Sequence, residues 1–332
     1  MRNRRDTPPG ITRRLLKHRS DSATKAELAG PAPTPQVAAN GVEFLQAPAW
    51  KKPRSRETSW LLHAFSTRRG GVSRAYCAED EPGELNLGFT KEDRREDVVQ
   101  NRRLLAEAIT GSPDFPVISL RQFHSNLVIV VGRSDAARQT PRKADGLMTA
   151  EPNVLLAIQT ADCIPVLVAD RRQRAVAAFH AGWRGTANRI VECGIGRMRM
   201  EFGSRPEDLI AAIGSGVGVC CYSVGEEVRS TFESQFGYAA DLFREVSDSD
   251  PIRRKYPMLF LTQRAPGHSP IGPSLHLDLV EANRRQLLDA GLKASAISVA
   301  GGCTACHTEL FFSYRASRGH AGRMFSVIGV RA

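Results

Sequence analysis

Short, nearly continuous apolar runs recur along the chain and predict most of its secondary structure. Because these runs are rich in β-branched residues, they are typical of strands buried on both faces. The predicted strands lie in WLLHAFSTRRGGVS (60–73), PVISLRQFH (116–124), LVIVV (127–131), NVLLAIQT (153–160), IPVLVAD (164–170), AVAAFH (175–180), RPEDLIAAIGSGVG (205–218), AISVAGGC (296–303) and MFSVIGVR (324–331). EPGELNLGF (81–89) has turn signals at both ends and predicts a further strand or a loop.

Several of these strands are separated by segments whose apolar residues recur at the spacing of a helix. In residues 95–109, Val98, Leu105 and Ile109 fall on one side of a predicted helix, and the pattern stops at Gly111. Further helices are predicted at about 186–202, 224–236 and 278–292. Alternation of strands and helices predicts a layered α/β architecture, with one globular domain over residues 41–332.

The first 40 residues have a different composition. They contain eight Lys or Arg against three acidic residues, together with five prolines and little hydrophobic periodicity. Such a segment cannot bury enough apolar surface to fold, so residues 1–40 are predicted to be a disordered basic tail. Its paired arginines are not followed by an apolar stretch, and we expect no secretory signal.

Overall composition is that of a globular protein with a basic excess. Of the 332 residues, 42% are hydrophobic and 24% charged, and the formal net charge is +11. No run approaches the roughly 18 apolar residues of a membrane span, so no membrane association is expected. Much of the excess charge lies in the tail, without interleaved aromatic residues, and we expect no specific nucleic-acid binding. The sequence leaves open a monomer or a small homo-oligomer.

Seven cysteines, an odd number with Cys220 and Cys221 adjacent, do not resemble a disulfide framework. They predict a reducing, cytoplasmic environment. CTACH (303–307) has the form of a covalent haem attachment site, but haem is not expected without an export signal, and an accessory redox pair stays open. Cys193, Cys220 and Cys221 are expected to be small buried or half-buried residues.

Three apolar runs end in residues that can bind a metal. The run PVISLRQFH (116–124) ends in His124, the segment LLAIQTADC (155–163) ends in Cys163, and AVAAFH (175–180) ends in His180. One sulfur and two imidazole ligands suit a catalytic zinc site that keeps a fourth position open for water or substrate. Their separations of 39 and 17 residues match no compact zinc motif, so their convergence is a prediction about the fold.

Two alternative kinds of chemistry fit such a site. Zinc lowers the pKa of a bound water to about 7 and holds a cysteine as thiolate. Alternatively, Cys163 is itself the nucleophile, with His124 or His180 as its base. In either case Asp162, beside the cysteine, is a candidate to orient a histidine or to hold a substrate hydroxyl.

Several motifs together resemble the YfiH-like family over about residues 42–332. They are STRRGGVS (66–73), LNLG (85–88), QFH (122–124), ADGLMT (144–149), TADCIPVLVAD (160–170), HAGWRGT (180–186), YSVGEEV (222–228), LDL (277–279), CT (303–304), FFSYRA (311–316) and GRM (322–324). Members of this family have been described as laccase-domain or multicopper polyphenol oxidoreductases, purine nucleoside phosphorylases and peptidoglycan editing factors. Ser125 departs from the family pattern, in which glycine usually follows the histidine.

The resemblance implies a single-domain, four-layer αββα sandwich with zinc held by His124, Cys163 and His180. It further implies phosphorolysis of adenosine, inosine, guanosine and methylthioadenosine, and hydrolytic deamination of adenosine. Purine nucleosides and phosphate would then be the small-molecule partners. Copper is a less favoured alternative to zinc.

Phosphate binding requires cations near the reacting atoms. Arg68 and Arg69 adjoin two glycines and are candidates for an anion clamp, because arginine forks match phosphate oxygens. Arg184 and Arg315 are secondary candidates for substrate binding. Trp183 is predicted either to stack on a base or to pack its loop.

Three other functions stay open at this point. A peptidoglycan editing amidase would hydrolyse an amide in a nucleotide-linked muramyl precursor at the same site. Copper-dependent phenol oxidation is less favoured, because the chain has eight scattered histidines, fewer than a multicopper oxidase needs. A metal-binding scaffold without enzymatic activity could use the basic tail to recruit a partner.

Overall fold

The computed structural model describes residues 23–50, 59–247 and 273–332. Its helices are α1 (Lys25–Leu28), α2 (Arg95–Thr110), α3 (Trp183–Ala187), α4 (Ile190–Phe202), α5 (Glu226–Gln235) and α6 (Leu279–Asp289). Its strands are β1 (Ala23–Thr24), β2 (Gln36–Val37), β3 (Glu43–Leu45), β4 (Leu61–Ser66), β5 (Arg69–Ser73), β6 (Val117–Ser119), β7 (Val128–Val130), β8 (Gly146–Thr149), β9 (Leu155–Thr160), β10 (Ile164–Asp170), β11 (Val176–Ala181), β12 (Leu209–Ile213), β13 (Phe243–Ser247), β14 (Ser274–Leu277), β15 (Ile297–Val299) and β16 (Met324–Val330). Within these ranges, no helix has the length and apolar character needed to cross a membrane.

Two mixed six-stranded sheets form the centre of the molecule. The first sheet has the order β2-β3-β4-β16-β9-β6, and the second has the order β15-β12-β10-β11-β8-β7. In each sheet most neighbours are antiparallel, whereas the pairs β6–β9, β12–β15 and β7–β8 are parallel. A small third sheet, β1-β13-β14, lies outside them.

Alternate residues of the central strands enter different cores, which explains their continuous apolar sequence. Leu156 and Ile158 of β9 share one buried cluster with Leu167 and Ala169 of β10, and this cluster joins the two sheets. The opposite face of β9 packs with α2, whereas the opposite face of β10 packs with α4 and α6. The layers are therefore helix, sheet, sheet and helix, which confirms the predicted αββα fold.

Most predicted elements are present, but some bounds differ. The run 116–124 keeps only Val117–Ser119 in a sheet, and 81–89 is a loop apart from bridges made by Glu84. The helix predicted over 186–202 is divided into α3 and α4. Arg189 causes this division because it adopts a left-handed conformation with φ of 59°.

The N-terminal segment differs from the predicted disordered tail. β1 pairs in parallel with β13, β2 pairs with β3, and Thr24 and Glu27 form a capping box on α1. Residues 23–40 therefore follow the surface of the domain, which corrects the prediction for that part of the tail. Residues 1–22 lie outside the described residues.

Helix α4 offers a direct test of the packing that supports β11. A Cβ added at Gly194 would lie 2.3 Å from Cζ of Phe179, a fully buried β11 residue adjacent to His180. We expect Gly194→Ala to destabilise the fold by about 1–3 kcal/mol, because overpacking outweighs the better helix propensity of alanine. Denaturant unfolding measures the change.

Gly196 of the same helix is the matched control, because a Cβ there meets nothing within 4 Å. We expect Gly196→Ala to stabilise the fold by about 0.5–1 kcal/mol. If both substitutions stabilised the protein, the close packing of α4 on β11 would be wrong.

Candidate active site

A sharp corner carries Cys163 from one sheet to the other. β9 belongs to the first sheet and β10 to the second, and only residues 161–163 connect them. Asp162 turns the backbone with φ of 96°, a conformation that is uncommon for a residue with a side chain. Apart from glycine, aspartate and asparagine adopt such a conformation most readily, which is consistent with an aspartate at position 162.

The Asp162 carboxylate ties this corner to the C-terminal loop. Its Oδ1 accepts hydrogen bonds from the hydroxyls of Thr304 at 2.6 Å and Ser313 at 2.7 Å, and its Oδ2 accepts one from the backbone N–H of Arg315 at 2.7 Å. Asp162 thus fixes the backbone beside Cys163. Of its two predicted roles, orienting a histidine belongs to a different carboxylate, whereas holding a substrate hydroxyl stays a prediction.

The three predicted metal ligands come together in the fold. His124 lies on the connection from β6 to β7, again between the two sheets, and has φ of 64°. His180 is the penultimate residue of β11 and is buried. The Sγ of Cys163 and one ring nitrogen of each histidine all lie within 4.8 Å of one another. We call these residues the His-Cys-His cluster.

Asp145 organises both histidines. Its Oδ1 lies 2.9 Å from Nδ1 of His180 and also accepts the backbone N–H of His124 at 2.9 Å. Its Oδ2 accepts the backbone N–H and the hydroxyl of Ser125, each at 2.7 Å. The Ser125 hydroxyl therefore adds a bond that glycine cannot make. Sequence reasoning assigned Asp145 no role, although its position in ADGLMT, just before β8, was a signal.

Within the cluster, charges and hydrogen bonds shift the pKa values of Cys163 and His180 more than burial does. Burial alone would raise the pKa of Cys163, but the charge of His180 and hydrogen bonds from both histidines lower it to about 6. Burial would lower the pKa of His180, yet the Cys163 charge and Asp145 raise it to about 9. At neutral pH the metal-free site therefore holds a thiolate beside an imidazolium, and a cation that takes this position displaces a proton.

Asp145 also makes the stability of the folded protein depend on pH in the acidic range. Burial would raise its pKa, but hydrogen bonds from His180 and Ser125 lower it to about 2, below its usual 3.8. A depressed carboxylate pKa stabilises the folded state at pH values above 3.8. This contribution is lost as the pH falls toward 2.

The donor set fits a zinc ion. Because Nδ1 of His180 bonds Asp145, its Nε2 is left to face Cys163, the arrangement in which a carboxylate orients a metal-bound histidine. Gly182 leaves room for the cluster, since a Cβ there would lie 2.9 Å from Sγ of Cys163 and 3.0 Å from Cδ2 of His124. Two nitrogens and one sulfur leave one tetrahedral position open. Two histidines and one cysteine also form blue-copper sites, whose weak axial ligand is methionine or glutamine, and Gln122 and Gln159 line the adjoining cavity.

An adjoining cavity of about 890 Å³ opens onto the cluster, within the size range of small-molecule sites. Its lining includes four arginines, two tyrosines and two glutamines: Arg121, Arg315, Arg318, Arg323, Tyr222, Tyr314, Gln122 and Gln159. In the described parts of the chain, none of these arginines forms an ion pair with a carboxylate. Among the described residues of the lining, Asp162 is the one carboxylate, and it is already hydrogen-bonded. The cavity is therefore suited to an anionic ligand.

Arg315 is the predicted substrate-binding residue that the fold brings to this cavity. Its guanidinium donates to the Ser223 hydroxyl at 3.1 Å and lies 4.9 Å from the ring centre of Tyr222. Tyr222, Tyr314 and Arg323 were not singled out from the sequence, although they lie in the quoted motifs YSVGEEV, FFSYRA and GRM. Arg318, in contrast, lies in none of the quoted motifs.

Arg68 and Arg69 do not reach the cavity. The guanidinium of Arg68 pairs with Glu84, donates to the carbonyls of Thr308 and Tyr76, and lies over Phe312. Arg69 donates to the carbonyl of Glu309 and pairs with Glu43. Both arginines thus join segments of the fold, and their prediction as a phosphate clamp is corrected.

Trp183 and Arg184 also lie outside the cavity lining. Trp183 packs against the core beneath the second sheet, and Arg184 stacks on its ring at 4.3 Å. Of the two alternatives for Trp183, the structure has the packing one. Arg184 is exposed at the start of α3 and contributes charge near Tyr222.

Fold and cluster together define an αββα protein with a candidate three-ligand metal centre between its sheets. The sequence matches the family described as multi-copper polyphenol oxidoreductase laccase over residues 62–331. The chain belongs to this family, and the family predicted from the sequence motifs is confirmed.

Known relatives agree in length and fold. A purine nucleoside phosphorylase of Deinococcus radiodurans is 36% identical over 297 residues, which cover 89% of this chain and 95% of that protein. The purine nucleoside phosphorylase YlmD of Geobacillus stearothermophilus is 34% identical over 296 residues, with coverage of 86% and 96%. The crystal structure of the hypothetical protein YfiH of Bacillus licheniformis aligns with a TM-score of 0.71 at 29% identity, covering 90% of this chain and 99% of that one.

The substitution Asp145→Asn tests whether this carboxylate orients His124 and His180 for metal binding. Asparagine has one acceptor oxygen and an NH₂ group that would face the donors of this site, so the histidines lose their orientation. We expect zinc affinity to fall about 10–100-fold, measured by competition with a chromophoric chelator.

Asp170→Asn is the matched control for this variant. Asp170 is also fully buried, at the other end of β10, where it accepts the backbone N–H groups of Arg172 and Gln173. Its substitution should leave zinc affinity unchanged. An equal loss of affinity in both variants would mean that Asp145 acts only through overall stability.

Proposed function

We propose that this protein is a zinc-dependent purine nucleoside phosphorylase acting on adenosine, inosine, guanosine and methylthioadenosine. The observation that carries the proposal is the His-Cys-His cluster at the wall of a cavity lined by four arginines without carboxylate partners in the described residues. The names of the relatives from Deinococcus and Geobacillus support the same reaction class.

The cavity offers complementary contacts for the two substrates. Arg315, Arg318 and Arg323 can take an inorganic phosphate, because guanidinium groups bind phosphate oxygens in pairs. Tyr222 and Tyr314 supply flat faces for a purine, and Gln122 and Gln159 supply amide groups for its polar edge. Groups suited to phosphate and groups suited to the base thus line one cavity.

Phosphorolysis exchanges one bond for another at the ribose. A phosphate oxygen bonds to C1′ while the C1′–N9 bond breaks, and the departing purine takes the bonding electrons and a proton. The arginines hold the phosphate in line with C1′, and its negative charge stabilises the oxocarbenium-like ribose. A zinc ion held by His124, Cys163 and His180 would supply Lewis-acid polarisation of a substrate oxygen or of water.

Hydrolytic deamination of adenosine is a second candidate activity of the same cavity. Three protein donors leave a coordination position for water, and in zinc deaminases such a water attacks C6 of adenine with loss of ammonia. This reaction needs no phosphate, which separates it from phosphorolysis in an assay.

Purified protein incubated with inosine and with adenosine, each with and without phosphate, tests the proposal. We expect phosphate-dependent release of free base, and inosine or hypoxanthine from adenosine. Cys163→Ala should lose activity and the zinc bound by the cluster together. Loss of activity with that zinc retained would favour Cys163 as nucleophile. Intact nucleosides with zinc bound would overturn the proposal and favour amide hydrolysis in a muramyl precursor.

Arg318→Gln tests the phosphate contacts specifically. Arg318 lines the cavity, is exposed, and makes no ion pair among the described residues, so its replacement should not disturb the fold. A lost charge-assisted hydrogen bond is worth about 1.5–3 kcal/mol, so we expect the KM for phosphate to rise about tenfold or more. The KM for inosine should change much less.

Arg199→Gln serves as the matched control, because Arg199 is an exposed arginine of α4 outside the cavity lining. Its steady-state constants should equal those of the unmodified protein. If Arg318→Gln behaved in the same way, the phosphate site would have to lie elsewhere.

A further inference from the structure

Four cysteines form a second cluster, separate from the His-Cys-His cluster. Cys220 and Cys221 lie in the turn that follows β12, whereas Cys303 and Cys306 lie in the loop that follows β15. All four Sγ atoms lie within 4.8 Å of one another. The Sγ of Cys306 is 3.5 Å from that of Cys220 and 3.4 Å from that of Cys221. We call these residues the four-cysteine cluster.

These distances match the size of a single tetrahedral ion. With zinc–sulfur bonds of about 2.3 Å, the sulfurs of a tetrahedral site are about 3.8 Å apart. Two of the sulfur separations, 3.4 and 3.5 Å, are slightly shorter than this value, all of them are within 4.8 Å, and all four cysteines are free. A disulfide needs about 2.05 Å between sulfurs. An iron–sulfur cluster distributes its cysteines over several irons and requires a wider spacing of the sulfurs than this.

The surrounding backbone is shaped for sulfur ligands. The N–H of Gly218 donates to Sγ of Cys303 at 3.2 Å, the kind of outer hydrogen bond that orients metal-bound thiolates. A Cβ at Gly218 would lie 3.1 Å from Cβ of Cys303 and 3.3 Å from Sγ of Cys220. Glycine at this position thus allows the two cysteine segments to approach each other closely.

Charge around the cluster favours a divalent cation bound by thiolates. Four thiolates and one Zn²⁺ carry a net charge of about −2. The ammonium group of Lys25, the first residue of α1, faces Cys221 and offsets part of that charge. This contact also draws the N-terminal segment onto the two cysteine loops.

We propose that Cys220, Cys221, Cys303 and Cys306 bind a second Zn²⁺ in a closed, structural tetrathiolate site. Four protein ligands leave no position for water or substrate, so this ion takes no part in the reaction. Its role is to join the turn after β12 to the loop after β15, whose cysteines are 82 residues or more apart in sequence.

The second site would also position parts of the candidate active site. Tyr222, which lines the cavity, directly follows Cys221. Thr304, which donates to Asp162 at the corner beside Cys163, directly follows Cys303. Loss of the second ion therefore loosens one cavity wall and one anchor of the corner.

Metal analysis of the protein purified under reducing conditions tests this proposal. We expect about two zinc ions per chain in the unmodified protein. Cys306→Ser should lower that number by one, and Cys163→Ala should lower it by one independently. Cys193→Ser is the matched control, because Cys193 is exposed and belongs to neither cluster, and it should leave the number unchanged.

Substitution of Zn²⁺ by Co²⁺ in the Cys163→Ala chain, which keeps all four cysteines of the four-cysteine cluster, gives a readout that does not require a folded Cys306 variant. Tetrahedral thiolate ligation should produce intense sulfur-to-cobalt absorption in this chain. Absence of that absorption would overturn the proposal. So would a zinc content unaffected by Cys306→Ser, an intact mass showing a disulfide among these cysteines, or iron with acid-labile sulfide.

Discussion

The crossing from the first sheet to the second through residues 161–163 is the constraint on which the candidate active site depends. A connection this short forces Asp162 into a left-handed conformation, which costs on the order of 1–3 kcal/mol for a non-glycine residue. Hydrogen bonds from Thr304, Ser313 and the backbone of Arg315 to its carboxylate offset that cost. Because the corner is held there, Sγ of Cys163 stays within reach of both histidines.

Two carboxylates divide the support of the His-Cys-His cluster. Asp162 fixes the backbone that carries the thiol, whereas Asp145 orients His180 and the turn of His124. The charges reinforce each other, since an imidazolium held by Asp145 lowers the pKa of the Cys163 thiol. Adjacency in sequence therefore misidentified the orienting carboxylate. Asp162 is next to Cys163, but its oxygens face the C-terminal loop, whereas the orienting Asp145 comes from the turn just before β8.

The layered α/β character could be predicted from local sequence patterns, whereas the αββα arrangement was implied by the family resemblance. The three candidate ligands could be found because each of them ends an apolar run. Strands buried on two faces have continuous apolar sequences, and polar residues at their ends gather where the sheets meet. The roles of Arg68 and Arg69 could not be predicted, since the carbonyls they bind belong to residues 308 and 309. Cys220 and Cys221 likewise were expected only to be small buried or half-buried residues, because their neighbours Cys303 and Cys306 come from a distant loop.

Polar links join separate segments of the chain around the candidate active site. They include the Asp162 and Asp145 networks, the Arg68–Thr308 hydrogen bond and the four-cysteine cluster. Such links are strong only when every partner is in place, since a buried charge left alone is costly. The four arginines of the cavity, in contrast, have no carboxylate partner among the described residues and keep their charge for a ligand. Arginines that join segments of the fold and arginines that can bind a ligand thus differ in their partners, not in their position along the sequence.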